Sequence, residues 1–403
     1  MSAGELRIRV VPAIADVPAS AWNACANPTG CAPRAESVSR GEAYNPFICH
    51  EFLSALERSG SATGRTGWQP QHLLAEAEDG TLLGAVPCYL KSHSRGEYVF
   101  DQGWADAYER AGGQYYPKLQ VSVPFTPATA RRLLVRPDAP AEVRRGLVAG
   151  LVELRSLREA SSIHATFLPE AEWELFARHG FLQRTDQQFH WENAGYAGFE
   201  DFLGALAARK RKLIRRERRD ALPDGIEVHW LTGRDLTEEV FDAFFAFYME
   251  TGSRKWGRPY LTRSFYSLIG ESMADRILLV MAKRAGRWIA GAINFIGGDA
   301  LFGRHWGAVE HHPFLHFELC YYQAIEFAIA HRLARVEAGA QGEHKLARGY
   351  MPRTTCSAHY IADPALRRAI ADYLARERAY VEAAGAELAT LGPFRKDPAE
   401  NET

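Results

Sequence analysis

Ile277-Leu278-Leu279-Val280, a turn at Ala285-Gly286, Ala290-Gly291-Ala292 and then His305-Trp306-Gly307 set three strands in a row. Each run is short, apolar or small, and bounded by turn residues, the pattern of buried antiparallel strands. The same order stands earlier in the chain, as His72-Leu73-Leu74-Ala75, the Asp79-Gly80 turn, Leu83-Gly84-Ala85 and Gly103-Trp104. A unit written twice predicts two similar domains flanking a shared cleft. Only the second copy runs on into a dense polar motif, Glu337-Ala338-Gly339-Ala340-Gln341-Gly342-Glu343-His344-Lys345-Leu346-Ala347-Arg348-Gly349-Tyr350. Chemistry is therefore expected mainly on that copy.

Working outward, periodicity predicts a strand over 6–11, a helix from Asn45-Pro46-Phe47 to Arg58, and strands over 72–78 and 82–91. A helix over 140–158 opens at Pro140 and spaces Val143, Leu147, Leu151 and Leu154 along one face. A strand over 162–168, a helix over 170–179 and a strand over 181–192 follow, while the aromatic-rich residues 97–125 show no clear period. The second half reads strand 226–231, helices 235–251 and 262–274, a hairpin 277–284 and 287–296, strand 300–306, helix 316–333 and strand 335–338. After the polar motif come strand 354–361 and helix 364–386. The expected domains are 1–195 and 196–390, the second opened by a basic helix over 200–220, with 391–403 a disordered polar tail.

The chain has 403 residues, 47% of them hydrophobic and 24% charged, a composition that suits two globular domains. A formal net charge of −1 excludes a global attraction to nucleic acid or anionic lipid, so any such contact needs a local patch. No apolar run approaches the roughly 18 residues of a spanning helix. Leu6-Arg7-Ile8-Arg9-Val10-Val11 alternates like a strand and lacks a signal peptide's apolar core, so a cytoplasmic protein is expected. The six cysteines form no C-x-x-C pair. Cys25 and Cys31, though near one another, read as ordinary thiols.

Strand, two helices, three antiparallel strands, helix, strand, helix, strand is the order of the GNAT acyltransferase fold, here present in both halves. Several phrases resemble the bacterial peptidoglycan biosynthesis/recognition family, related to the FemAB-like tandem-GNAT aminoacyltransferases. They are Tyr89-Leu90-Lys91-Ser92-His93-Ser94, Gly96-Glu97-Tyr98-Val99-Phe100-Asp101, Trp104-Ala105-Asp106-Ala107-Tyr108, Tyr115-Tyr116-Pro117-Lys118-Leu119-Gln120, Arg254-Lys255-Trp256-Gly257 and the 337–350 motif. The resemblance spans about 45–380 and implies an α/β (α+β) fold of two tandem GNAT-like domains, each a mixed, mostly antiparallel sheet flanked by helices. It also implies transfer of an activated acyl or aminoacyl group to an amine. The donor is a co-substrate, aminoacyl-tRNA or acyl-CoA, and no cofactor is tightly bound. One departure bears on the donor. Acyl-CoA-dependent GNAT domains carry a glycine-rich phosphate cradle after the fourth strand, where this chain has Gly307-Ala308-Val309-Glu310-His311-His312-Pro313.

Acyl transfer to an amine needs a base and donors for the developing oxyanion. Glu343, His344, His316 and Glu318 are the candidate bases. Lys345 and Arg348, three apart, suit a phosphate or carboxylate, with Tyr350 beside them and Gly339 and Gly342 letting a ligand approach. Arg304, His305 and Trp306 are expected to line the channel. Lys255 and Trp256 combine a cation with a flat ring, and Asp101 and Trp104 suit an amine- or sugar-bearing acceptor. The histidines lack the spacing of a metal site, and no metal is expected. Arg209, Lys210, Arg211, Lys212, Arg215 and Arg216 belong to a run of eight basic residues broken only by Leu213, Ile214 and Glu217. That run suits a tRNA backbone, a phosphorylated small substrate or an acidic membrane surface. The expected function is an acyl- or aminoacyltransferase acting in the cleft between the halves. The alternatives are an acyl-CoA-dependent N-acyltransferase and a non-catalytic binding protein for a cell-wall precursor or RNA.

Overall fold

The computed structural model describes residues 6–28, 43–223, 225–256, 259–339 and 342–395, and the side chains of 254–256 and Glu343 lie outside that description, as does Cys31. The first elements are β1 (Arg7–Val11), α1 (Ala19–Ala26), α2 (His50–Arg58), β2 (Trp68–Pro70), β3 (His72–Glu76), β4 (Leu82–Val86) and β5 (Cys88–Lys91). There follow α3 (Gln102–Arg110), β6 (Lys118–Val121), β7 (Leu134–Val135), α4 (Glu142–Leu157), β8 (Ser162–Leu168), α5 (Glu170–Arg178) and β9 (Leu182–Glu192). Next come α6 (Phe199–Ala205), α7 (Ala208–Ala221), β10 (Ile226–Leu231), α8 (Glu238–Trp256), α9 (Arg263–Met273), β11 (Ile277–Arg284), β12 (Arg287–Ile296) and β13 (Ala300–Ala308). The last are α10 (Leu315–Phe317), a π-helical turn (Glu318–Tyr322), α11 (Gln323–Ala330), β14 (Arg335–Glu337), a 3-10 turn (Glu343–Arg348), β15 (Met351–Ile361) and α12 (Pro364–Thr390).

These elements form two compact units, one of residues 1–186, 260–265 and 354–382, the other of 187–259, 266–353 and 383–403. The expected division at 195 thus moves to 186, and the closing strand and most of the last helix pack with the first unit. In that unit one sheet runs β1-β3-β4-β7, and β15-β8-β6-β5-β2 are hydrogen-bonded in that order, with β6 and β8 parallel. The α4 face predicted from spacing, Val143, Leu147, Leu151 and Leu154, is buried against Leu73, Ile163 and Ala358. Each fully buried leucine there contributes roughly 2 kcal/mol. The unit's distinctive feature lies between β6 and β7. Val121 pairs with Cys88, Leu134 pairs with Ala85, and the intervening residues 122–133 leave the line of the strand. That excursion turns onto β8, where Ala130 N–H donates to Phe167 O (3.1 Å) and Arg132 Nε to Thr166 O (3.0 Å). Glu172 on α5 accepts the N–H groups of Arg132 and Leu133 at 2.8 and 3.2 Å. Every residue of 122–133 except Thr129 is buried.

In the second unit the strands run β10-β11-β12-β13-β14-β9. The β11/β12 hairpin turns at Ala285 and Gly286, both at positive φ (48° and 76°), the twist that tight hairpins need. β13 is parallel to β14, but the two pair only through Ala300, Leu301 and Phe302. Beyond Phe302, β13 continues to Ala308 with no strand paired to that edge among the described residues. Its other edge is irregular too, because Ile293 faces His305 and Asn294 faces Gly303, leaving Arg304 as an extra, bulged residue. Gly307 lies against α8, a Cβ there falling 2.1 Å from Phe247 O.

Two sequence expectations shift. Residues 97–125 contain α3 and β6, so Gly103-Trp104 sits on a helix, and the strand of the first unit matching β13 is β6. Residues 391–395 return to the second unit, with Phe394 bridging Leu206 and Ala207 N–H donating to Pro393 O. No helix among the described residues is long and apolar enough to cross a membrane.

Candidate active site

The divergence of β13 from β14 opens the second unit. A cavity of about 100 Å³ is lined by Ala292, Asn294, Arg304, His305, Trp306, His316, Cys320, Tyr321 and Ala338. A larger one, about 540 Å³, is lined by Glu250 and Thr251 of α8, Trp306 and Ala308 of β13, the 309–314 loop, and Leu315, His316 and Phe317. Trp306 and His316 line both cavities, and their rings lie 5.1 Å apart. His305, edge-on to Tyr248 at 5.0 Å, is pushed down to about 3 by burial, with Arg304 adding to the effect, so its imidazole is neutral. Strand alternation and the bulge give Arg304, His305 and Trp306 their places. All three line the small cavity.

The far wall of the small cavity is the π-helical turn, whose Cys320 and Tyr321 face it. Tyr321 Oη and His344 Nε2 are 2.9 Å apart, and His344 is exposed. None of the described side chains of the 343–350 motif lines either cavity. Lys345 is 2% exposed and donates from Nζ to Gly339 O at 3.0 Å, and burial pushes its amine down to about 8. Arg348 donates to Glu217 at 2.7 Å and to His344 O at 2.6 Å, with its guanidinium 3.5 Å over the Phe317 ring. Tyr350 is fully buried and donates to Tyr321 O. Lys345, Arg348 and Tyr350, expected from the sequence to contact substrate, have polar groups that hold the turn carrying His344. Glu318, a candidate base from the sequence, is engaged likewise. It is fully buried and clasped by Arg218 at 2.8 to 3.2 Å and by Gln323 at 2.7 Å. The Glu343, Lys255 and Trp256 side chains lie outside the described residues.

α7 turns Ile214, Glu217 and Ala221 inward and leaves Arg209, Lys212, Arg215, Arg216 and Arg219 exposed, with Lys210 and Arg211 half-buried. Glu200 and Asp220 partly offset this face, pairing with Arg215 and with Arg216 and Arg219. Four basic residues, Arg209 to Lys212, occupy the first turns of α7, where the helix dipole disfavours positive charge. Among the described residues no group of His, Cys, Asp and Glu side chains is arranged to hold a metal, and His312 pairs instead with Glu310 at 3.0 Å.

The first unit holds a polar cluster that the sequence singled out only in part. Lys118 Nζ donates to Asp101 (2.5 Å), Glu97 (2.9 Å) and Ser94 (2.7 Å), and Tyr115 Oη donates to Asp101 at 2.8 Å. Lys91 lies 3.5 Å from Glu97 and 3.6 Å over the Trp68 ring, and burial pushes it down to about 7. His164 and His359 share a 2.7 Å contact between their Nδ1 atoms, with Trp104 edge-on to His359 at 5.0 Å. Burial opposes ionisation of Asp101, but Lys118 outweighs it and holds the carboxyl well below its usual range. Asp101 and Trp104 thus sit in a buried network. Its partners Lys91, Ser94, Glu97, Tyr115 and Lys118 stand in the phrases that carried the resemblance. His164 and His359 carried no local signal, because only the β8/β15 register brings them together.

Comparison with known proteins bears on both units. No curated protein matches this chain significantly. Among solved structures, FemX aligns over 78% of this chain and 93% of its own, at 12% identity and a TM-score of 0.50. A tandem GNAT protein from the clavulanic acid biosynthesis pathway, solved without AcCoA, covers 89% of this chain and 99% of its own, at 15% identity and a TM-score of 0.46. L-PGS from Bacillus licheniformis covers 83% of this chain and 99% of its own, at 10% identity and a TM-score of 0.47. The FemX likeness supports the tandem GNAT fold. The profile of the FemAB-like family, described as peptidoglycan biosynthesis/recognition, matches residues 13–396. Spanning nearly the whole chain, that match makes this protein a member of the FemAB-like family.

Proposed function

We propose that the protein is an acyl- or aminoacyltransferase whose chemistry occurs in the second unit. The observation that carries this reading is the opening of β13 from β14 beyond Phe302 onto two cavities that share Trp306 and His316. The small cavity suits an acyl or aminoacyl group, and the larger one an amine-bearing acceptor. The amine nitrogen attacks the acyl carbonyl carbon, and the carbon–oxygen bond to the donor carrier (carbon–sulfur for a thioester) breaks. His316, at the junction, takes the amine proton, and the departing carrier is protonated in turn. Backbone N–H groups of β13 beyond Phe302, where no strand pairs with that edge among the described residues, are a source of donors for the oxyanion.

The exposed basic face of α7 favours a polyanionic carrier, hence aminoacyl-tRNA over acyl-CoA. The FemAB-like description favours a cell-wall precursor as acceptor. The test is binding of charged tRNA and of acetyl-CoA, side by side, at 50 and 200 mM salt. Tight tRNA binding that weakens by about 10³ or more across that interval supports the carrier, as six or more phosphate contacts require. Acetyl-CoA binding with no RNA binding overturns it. Loss of transfer in His316→Ala with both ligands still bound supports the assigned base, and unchanged transfer removes it.

A further inference from the structure

The basic helix has an inner face as well as an outer one, and the inner face reaches the wall of the small cavity. Glu217 is 4% exposed. Its carboxylate accepts from Arg348 Nη2 at 2.7 Å and from the hydroxyl of Tyr322, the last residue of the π-helical turn. The same arginine donates from Nη1 to His344 O at 2.6 Å. One residue on, Arg218 clasps Glu318, the first residue of that turn, reaches Glu326 at 2.8 Å, and lies 4.4 Å over the Phe199 ring. Consecutive residues of α7 therefore grip both ends of the π-helical turn, and Glu217, through Arg348, also grips the turn bearing His344. Between the two grips lie Cys320 and Tyr321, which line the small cavity. A π-helical turn inside a helix is a frequent functional device. It is under-wound, so the side chains that hold its two ends determine where its middle residues point.

We infer that α7 couples carrier to chemistry. RNA phosphates on its outer face fix the helix, and Glu217 and Arg218 pass that constraint to Cys320 and Tyr321 of the pocket wall and to His344, whose ring meets the Tyr321 hydroxyl. Glu217, Arg218 and Arg348 are positioning residues in this scheme, acting through Tyr322, Glu318 and the His344 backbone. The inference rests on the RNA-carrier reading. It adds that the carrier, apart from delivering the acyl group, orders the site. The outer side chains Arg209, Lys212, Arg215 and Arg216 set affinity, while the inner pair sets the response.

Hydrogen exchange of the full-length chain, with and without bulk deacylated tRNA as the probe, tests this. The wild type is expected to bind and to show exchange slowed severalfold in peptides covering 315–323 and 343–350. Glu217→Gln is expected to bind tRNA within about twofold of wild type and to lose that added protection, whereas Glu217→Asp recovers part of it. Tyr322→Phe, which removes one hydroxyl and leaves the Glu217–Arg348 pair, gives a second reading should Glu217→Gln fold poorly, with a partial loss expected. Wild-type binding with unchanged exchange in both segments overturns the coupling and leaves the carrier reading intact. Equal protection in wild type, Glu217→Gln and Tyr322→Phe does the same. Absence of tRNA binding at 50 mM salt overturns the carrier reading, and the coupling with it.

Discussion

In the second unit β13 carries one extra residue, Arg304, opposite Ile293 and Asn294, whereas in the first unit the corresponding strand is interrupted for the whole of 122–133. In both, a parallel neighbour, β14 or β8, diverges past three paired residues. The short bulge leaves that divergence open, with cavities of about 100 and 540 Å³ beside it. The long excursion fills its own divergence with peptide, satisfied by Phe167 O, Thr166 O and the Glu172 carboxylate. The same frame therefore yields a receptive unit and a self-occupied one. At this position the two differ in the length of chain inserted into one strand.

This contrast can be broken from either side. The largest effect is expected at Gly307, where β13 touches α8. Gly307→Ala places a Cβ against the Phe247 carbonyl and should cost about 3 kcal/mol, read as a lowered denaturant midpoint at unchanged slope. Next, Ala338→Phe fills the mouth of the small cavity and makes the second unit resemble the first. Transfer should fall about a hundredfold, equivalent to about 2.7 kcal/mol, with the melting temperature moving by only a few degrees. A full-rate Ala338→Phe enzyme would mean that the small cavity does not receive the acyl group. In the first unit, Glu172→Gln leaves one of two buried N–H groups unaccepted and should cost about 2 kcal/mol while leaving donor binding unchanged.

The smallest effect concerns Lys345. Its amine is pushed down to about 8 in the folded chain from an ordinary value near 10.5, so the unfolded chain binds more protons between those limits. Stability should therefore rise with pH across that window, by about 1 kcal/mol over the first unit above 8. The cost of burying the charge is fully present below 8. Lys345→Met should remove the rise, as measured by denaturation at pH 7, 8 and 9.

Much of this frame was legible from residue spacing. Leu147 and Leu151 announced α4, Ala285-Gly286 announced its hairpin, and the Arg304-His305-Trp306 run lay on the strand that bounds both cavities. What the spacing did not reveal has a common cause. Trp104 matched Trp306 by order alone, and an insertion that alters neither composition nor period at its ends cannot be aligned by order. Lys345 and Arg348 looked like ligand anchors because local sequence shows which charges are close along the chain. It does not show that Glu217, more than a hundred residues earlier, claims one of them. His164 and His359 are hidden for the same reason.

The division of the chain also bears on how it is made. The first unit is interrupted after residue 186 and is completed only by 354–382, which supply β15 against β8 and the buried Ile370 and Leu374. A ribosome releasing the chain from its N-terminus presents β8 with an unpaired edge until β15 emerges, while most of the second unit is already available to fold. Chains stopped between residues 340 and 350 would expose that edge permanently. Premature termination there should yield aggregation rather than a half-sized soluble product.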